Sequence, residues 1–200
     1  MCCGCTAAVP VMISDPSVAG LMLAAGFSRR FGSDKRRAPF AATTLLAASL
    51  RVPVAVLAEL WLVLRPDDDA DALGVPPSVR LLRNPAAQRG MGSSLACGVQ
   101  ALAASSDASA AAILLGDMPW LAGQTLRDLC ARATERHIVL PTYRGAPGHP
   151  VIFGRRFWPA LQALDGDVGA RALLQAEARW VRRVAVVDAG IRRDLDTPLA

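Results

Sequence analysis

The chain has 200 residues, 52% of them apolar and 20% charged, with a formal net charge of +5. That length suits one domain with a full hydrophobic core, and that composition excludes a disordered tail. The longest uncharged apolar runs, 16–28 and 38–50, fall short of the roughly 18 residues a membrane helix needs.

The first basic residue is Arg29, so no charged segment precedes an apolar one as a secretory signal requires. A cytoplasmic protein is expected, with no membrane partner. The arginines are scattered, without a dense run or interleaved aromatics. Nucleic acid is therefore not the expected partner, and a small anionic substrate accounts for the charge. Cys2, Cys3 and Cys5 lack the paired spacing of a zinc site. Cys97 and Cys130 fall within helical patterns and read as core residues.

Residues 1–17 show little periodicity and read as an irregular leader before a single domain over 18–200. Residues 18–24 form a continuous apolar run, the mark of a strand buried on both faces. A loop rich in Gly, Ser, Arg and Asp follows over 26–39, then a short helix over 43–50. Strands are expected over Leu60–Leu64 and 78–83. Residues 93–104 carry Leu95, Val99 and Leu102 on one helical face, with Ser93 or Ser94 as N-cap. Ala110–Leu115 is a further strand. Leu126, Leu129, Cys130 and Ala133 mark a helix. Strands over 137–142 and 150–153, helices over 155–164 and 168–178, and a strand over 181–187 complete the chain.

Strands alternating with helices predict an α/β fold: a three-layer αβα domain of Rossmann-like type around a mainly parallel mixed sheet. In such sheets the ligand sits beyond the carboxyl ends of the strands. The loops after Ala24, Arg83, Leu115 and Phe153 are the places to look for chemistry.

The first of these loops runs Leu23-Ala24-Ala25-Gly26-Phe27-Ser28-Arg29-Arg30-Phe31-Gly32-Ser33-Asp34-Lys35. Gly26 allows a sharp turn off the strand, and backbone N–H groups in such a loop cradle phosphate. The spacing fits neither a dinucleotide fingerprint nor a Walker loop. Lys35 is the only lysine beside 21 arginines. A compact ammonium suits a crowded triphosphate site where a planar guanidinium fits poorly. Asp117, in Gly116-Asp117-Met118-Pro119, follows an apolar strand, where an unpartnered carboxylate is costly. It reads as a ligand or as a cap for the next helix.

The pattern L-A-A-G-x-S-x-R-x-G-x-x-K resembles the opening motif of the MobA-like nucleotidyltransferases. The second alanine, Ala25, resembles the molybdenum cofactor cytidylyltransferase group within them. The likeness continues through Asn84-Pro85, Gly90-Met91-Gly92-Ser93-Ser94-Leu95, Asp117-Met118-Pro119, Gly148-His149-Pro150, the stretch from Gly166-Asp167 to Ala170-Arg171, and Asp194-Leu195-Asp196-Thr197-Pro198. It spans roughly residues 18–198 and departs from the usual pattern over 36–42.

The resemblance implies transfer of CMP from CTP to the phosphate of the molybdopterin cofactor, with Mg²⁺ as cofactor and pyrophosphate as leaving group. It implies a nucleotide site of Leu23, Ala24, Ala25, Gly26, Arg30, Lys35 and Ser94, with Arg30, Lys35 and Asp117 as catalytic residues. The metal would be held by Asp117 and Asp196. The acceptor would meet His149, Asp167 and Arg171, although His149 also reads as structural, Asp167 as a helix cap and Arg171 as a surface residue. A molybdoenzyme is the implied transient client. The rival readings are the same chemistry with GTP or another phosphorylated acceptor, and a non-catalytic cofactor carrier for a molybdenum hydroxylase.

Overall fold

Six successive small or apolar residues leave the chain between 18 and 23 no polar face to solvate, so it is driven into the middle of a sheet. In the computed structural model, which describes residues 17–27, 31–167 and 169–195, this segment is β1 (Val18–Leu23). A two-residue ribbon, β2 (Pro39–Phe40) with β3 (Thr43–Thr44), leads into α1 (Leu45–Val56). Then come β4 (Leu60–Leu64), β5 (Arg80–Arg83), α2 (Met91–Ser105), β6 (Ala110–Leu115) and α3 (Gly123–Cys130). The last third holds β7 (Ile138–Tyr143), β8 (Ala146–Pro147), β9 (Val151–Gly154), α4 (Trp158–Gln162), α5 (Arg171–Ala176) and β10 (Val181–Ala185).

The sheet runs β10-β7-β9-β6-β1-β4-β5, with β8 beside β7. Strand β1 pairs in parallel with β4 on one side and β6 on the other, so Leu21 lies opposite Trp61 and Ile113. Within that path only β9 runs antiparallel to its neighbours. Leu21, Ile113, Val63 and Phe153 face α2 and α4, where they meet Leu95, Val99, Leu102, Trp158 and Leu161. Met22, Leu62, Leu64 and Leu114 face the other way, onto Leu46 and Leu50 of α1 and Leu126 of α3. The result is the expected αβα sandwich around a mainly parallel mixed sheet. Gly98 lets α2 press onto β1, since a Cβ there would stand 2.5 Å from Leu21 Cδ1.

Several local expectations are corrected. Helix α1 continues past Leu50 to Val56, although Pro53 has no N–H to offer the Ser49 carbonyl. Pro53 is itself buried on the face that buries Leu46 and Leu50, and that packing offsets the lost bond. Strands β5 and β10 lie at the two edges of the sheet and are largely exposed rather than buried. The helix expected over 168–178 is shorter, Arg171–Ala176. Neither Ser93 nor Ser94 caps α2, because the N-cap is Gly90. Asp167 does not cap α5, whose N-cap is Ala170, and Asp117 does not cap α3, whose N-cap is Ala122. Cys97 and Cys130 are half-buried free thiols rather than core residues. Among the described residues no helix is long and apolar enough to cross a membrane. The leader, with Cys2, Cys3 and Cys5, lies outside the described residues apart from Ser17.

Candidate functional site

The parallel ladders extend past the ends of β1 and β6. The Ala24 N–H donates to the Val63 carbonyl at 3.0 Å, and the Gly116 N–H to the Leu23 carbonyl at 3.1 Å. These bonds carry Ala24, Ala25 and Gly116 onto the carboxyl edge of the sheet. A cleft of about 470 Å³ opens there, lined by Leu23, Ala24, Ala25, Gly26, Lys35, Ser94, Asp117 and Asp167 among others. Of the residues expected at the nucleotide and metal, Arg30 and Asp196 lie outside the described residues.

Lys35 opens a 3-10 turn, Lys35–Arg37, capped by Asp34, whose carboxylate accepts from the Arg36 N–H at 3.2 Å. The turn brings Lys35 Nζ to 2.5 Å from Asp117 Oδ2, at the end of β6. The other carboxylate oxygen, Oδ1, is buried and has no hydrogen-bond partner among the described residues. A buried carboxylate oxygen that no donor satisfies is a ready position for a hard cation. Among the described residues no cluster of three His, Cys, Asp or Glu forms a closed cage. A single described carboxylate, Asp117, suits a hard divalent cation that completes its shell with other oxygen ligands and water.

The anchor beneath this turn was not foreseen. Arg36 is buried at 3% exposure. Its guanidinium donates to the Ala24 carbonyl at 2.7 Å, to both oxygens of Asp34 and to both of Asp68. Arg65 joins the same carboxylates, 2.6 Å from Asp34 and 3.1 Å from Asp68. The Arg65 guanidinium also lies 5.2 Å from the ring centre of Phe27, on the cleft wall. Two arginines and two aspartates thus lock the end of β1 to the turn that presents Lys35. The signal in the sequence was the replacement of the usual residues from position 36 onward, with the acidic run at 67–69 to pair it.

Ser94 is presented from below by Asn84. The buried Asn84 amide donates to Ser93 Oγ at 3.2 Å and Ser94 Oγ at 3.1 Å, while its carbonyl oxygen accepts from the Ala86 N–H at 2.9 Å. Ser93 spends its own hydroxyl on the Ala86 and Gly90 carbonyls. Ser94 faces the cleft.

The remaining expected residues divide. Asp167 reaches the cleft wall over Gly90. Gly90 sits at φ +114°, a left-handed conformation suited to glycine. His149 stands behind Asp117: its N–H donates to the Ile191 carbonyl at 2.7 Å, and its ring hydrogen-bonds to the Ile113 backbone. Burial holds its pKa below the ordinary imidazole range, although the Ile113 bond and the charges of Asp117 and Asp194 oppose this. The Leu195 N–H ties the same terminal segment to the Asp117 carbonyl at 3.1 Å. Arg171 is the first residue of α5 and is exposed, and the cleft lining does not include it.

Comparisons with known proteins identify the family and the fold. A family model described as the MobA-like NTP transferase domain matches residues 20–182. The Bacillus subtilis purine catabolism protein PucB is 31% identical over 195 residues, covering 92% of this chain and 93% of PucB. The Escherichia coli molybdenum cofactor cytidylyltransferase is 25% identical, covering 89% and 90%. Among solved structures, Rv0371c of Mycobacterium tuberculosis superposes with a TM-score of 0.77 at 28% identity, covering 92% of this chain and 95% of that one. Rv0371c has also been described in complex with manganese, with a TM-score of 0.69 at 28% identity, covering 86% and 89%.

Proposed function

Because the chain belongs to the MobA-like NTP transferase domain family, and is thereby a nucleotidyltransferase, we propose that it transfers CMP from CTP to the phosphate of the molybdopterin cofactor. The observation that carries this reading is the pairing of Lys35 with Asp117 across a cleft rimmed by Ala24, Ala25 and Gly26. The name of the E. coli relative supports the base and the acceptor. The name of the B. subtilis relative suits a molybdenum hydroxylase acting on purines as the client. We read residues 18–200 as the one domain that holds both substrates.

The attacking group, a phosphate oxygen, is already anionic, so the protein need not supply a general base. Its work is in-line positioning and charge neutralisation. Lys35 and Arg30 hold the triphosphate, and the backbone of Ala25 and Gly26 lies against base and sugar. Ser94, propped by Asn84, meets the pyrimidine edge. His149 and Arg171 serve the acceptor side. Asp117 and Asp196 would hold Mg²⁺, which would supply positive charge against the triphosphate.

The test is pyrophosphate release with Mg²⁺ and molybdenum-loaded molybdopterin, offering CTP, GTP, ATP and UTP in turn. Release with CTP alone is expected. Release with GTP alone would keep the mechanism and overturn the base. Silence with all four would overturn transfer to this acceptor.

A further inference from the structure

The cleft read above as the triphosphate site is lined by two carboxylates, Asp117, which pairs with Lys35, and Asp167. Ser94 lines it as well. The loop that bears Asp167 is tied in two ways to the segment that runs into α2. The Gly92 N–H donates to the Gly166 carbonyl at 2.7 Å, and Arg89 pairs with Asp165. Gly90 makes the approach possible, since a Cβ there would stand 2.2 Å from Asp167 Oδ1. The carboxylate is therefore placed by its loop.

An ionised carboxylate repels phosphate and only accepts hydrogen bonds. Asp167 therefore belongs at the nucleoside end of the ligand, facing donors. Depth separates the two ends of a nucleoside here. Ser94 is buried at 4% exposure, and Asp167 is exposed at the rim. A base that reaches Ser94 leaves its sugar nearer the mouth, beside Asp167. The donors a nucleoside offers at that level are its vicinal hydroxyls. We infer that Asp167 is the ribose contact: its carboxylate accepts hydrogen bonds from the 2′ and 3′ hydroxyls of the bound nucleotide and so selects ribonucleotides over deoxyribonucleotides. The inference rests on the nucleotidyl-transfer reading above and assigns Asp167 to the donor nucleotide instead of the acceptor.

The experiment is calorimetric titration of the full chain with CTP, 2′-deoxy-CTP and 3′-deoxy-CTP, in Mg²⁺, for wild type, Asp167→Ala and Asp167→Asn. Wild type is expected to bind CTP on the order of tenfold more tightly than either deoxy analogue, the size of a charge-assisted hydrogen bond. Asp167→Ala should bind all three alike, no more tightly than wild type binds the analogues, with Asp167→Asn in between. An unchanged ratio in Asp167→Ala, or equal weakening of all three ligands, overturns the inference. So does a variant that keeps the ratio and raises only the KM for molybdopterin. Pyrophosphate release on the same samples separates the two claims. Wild type that discriminates between the sugars but releases nothing would sink the transfer reading and leave the ribose contact standing.

Discussion

Lys35 Nζ lies 2.5 Å from Asp117 Oδ2, joining the loop after β1 to the end of β6. The two side chains are only 20% and 17% exposed, so the cost of desolvating them offsets much of their attraction and the pair's share of stability is small. Its value lies in holding an ammonium and a carboxylate at the place where a triphosphate and its cation would meet. Asp117→Asn keeps the shape and removes the anion. Lys35→Ala removes the cation. Each should lower turnover by about a hundredfold or more, the usual loss when one electrostatic stabiliser of a transition state is deleted. Thermal midpoints should stay close to wild type. Steady-state rates and melting curves on the same preparations check both halves, and near-wild-type rates for both variants would remove the pair from catalysis.

Arg36 is the opposite case, a charge whose first duty is to the fold. It is buried and holds Asp34, Asp68 and the Ala24 carbonyl together. Deleting one partner of such a network strands the others. Arg36→Ala should cost about 3 kcal/mol by urea denaturation, the lower end for breaking a buried ion pair. Arg36→Lys keeps the charge but not the planar fork, so it should recover only part of that. Nucleotide affinity should fall in parallel, because the loop that carries Lys35 loses its anchor.

The chain order of strands and helices was legible because β1, β4 and β6 are unbroken apolar runs, and burial on both faces demands such runs. The short ribbon of β2 and β3, the two residues of β8 and the continuation of α1 through Pro53 carry no comparable local signal. The site divides in the same way. Lys35, Ser94 and Asp117 stood out through composition and motif, and they line one cleft. The pairing of Arg36 with Asp68, 32 residues apart, follows from how strands cross the sheet and not from any spacing along the chain. The placement of Asp167 was hidden for a related reason. It depends on Gly90 and Gly92 being small enough to admit the loop at 165–167, and a glycine does not announce which segment will lie against it.

His149 gives a pH dependence with a definite sign. Burial lowers its pKa in the native state below the ordinary 6.5. Below that ordinary value the unfolded chain takes up a proton that the native protein resists. The contribution to stability is therefore complete above the unfolded pKa and is lost as pH falls from about 6.5 towards the native value. Urea midpoints should decline between pH 7 and 5.5, above the range where ordinary carboxylates titrate. His149→Gln should flatten most of that decline. His137, also lowered but near the surface, remains in the variant and sets the residual slope. An unchanged slope in His149→Gln would show that the ring is not buried neutral.

The thiols at Cys97 and Cys130 should be poor nucleophiles in the native protein. Burial raises both, Cys130 to about 11. Reaction with an alkylating reagent requires the thiolate. At pH 8 a thiol with a pKa of about 11 is ionised in only about one molecule in a thousand. Cys130 also packs against the apolar cluster beneath α3, which limits access. In native protein treated with iodoacetamide at pH 8, peptide mapping should recover Cys130 almost wholly unmodified, and the same reagent in denaturant should label it fully. Cys97, raised less strongly, should react more slowly than an ordinary thiol but faster than Cys130. Prompt labelling of native Cys130 would mean that the carboxyl end of α3 opens far more often than its packing implies.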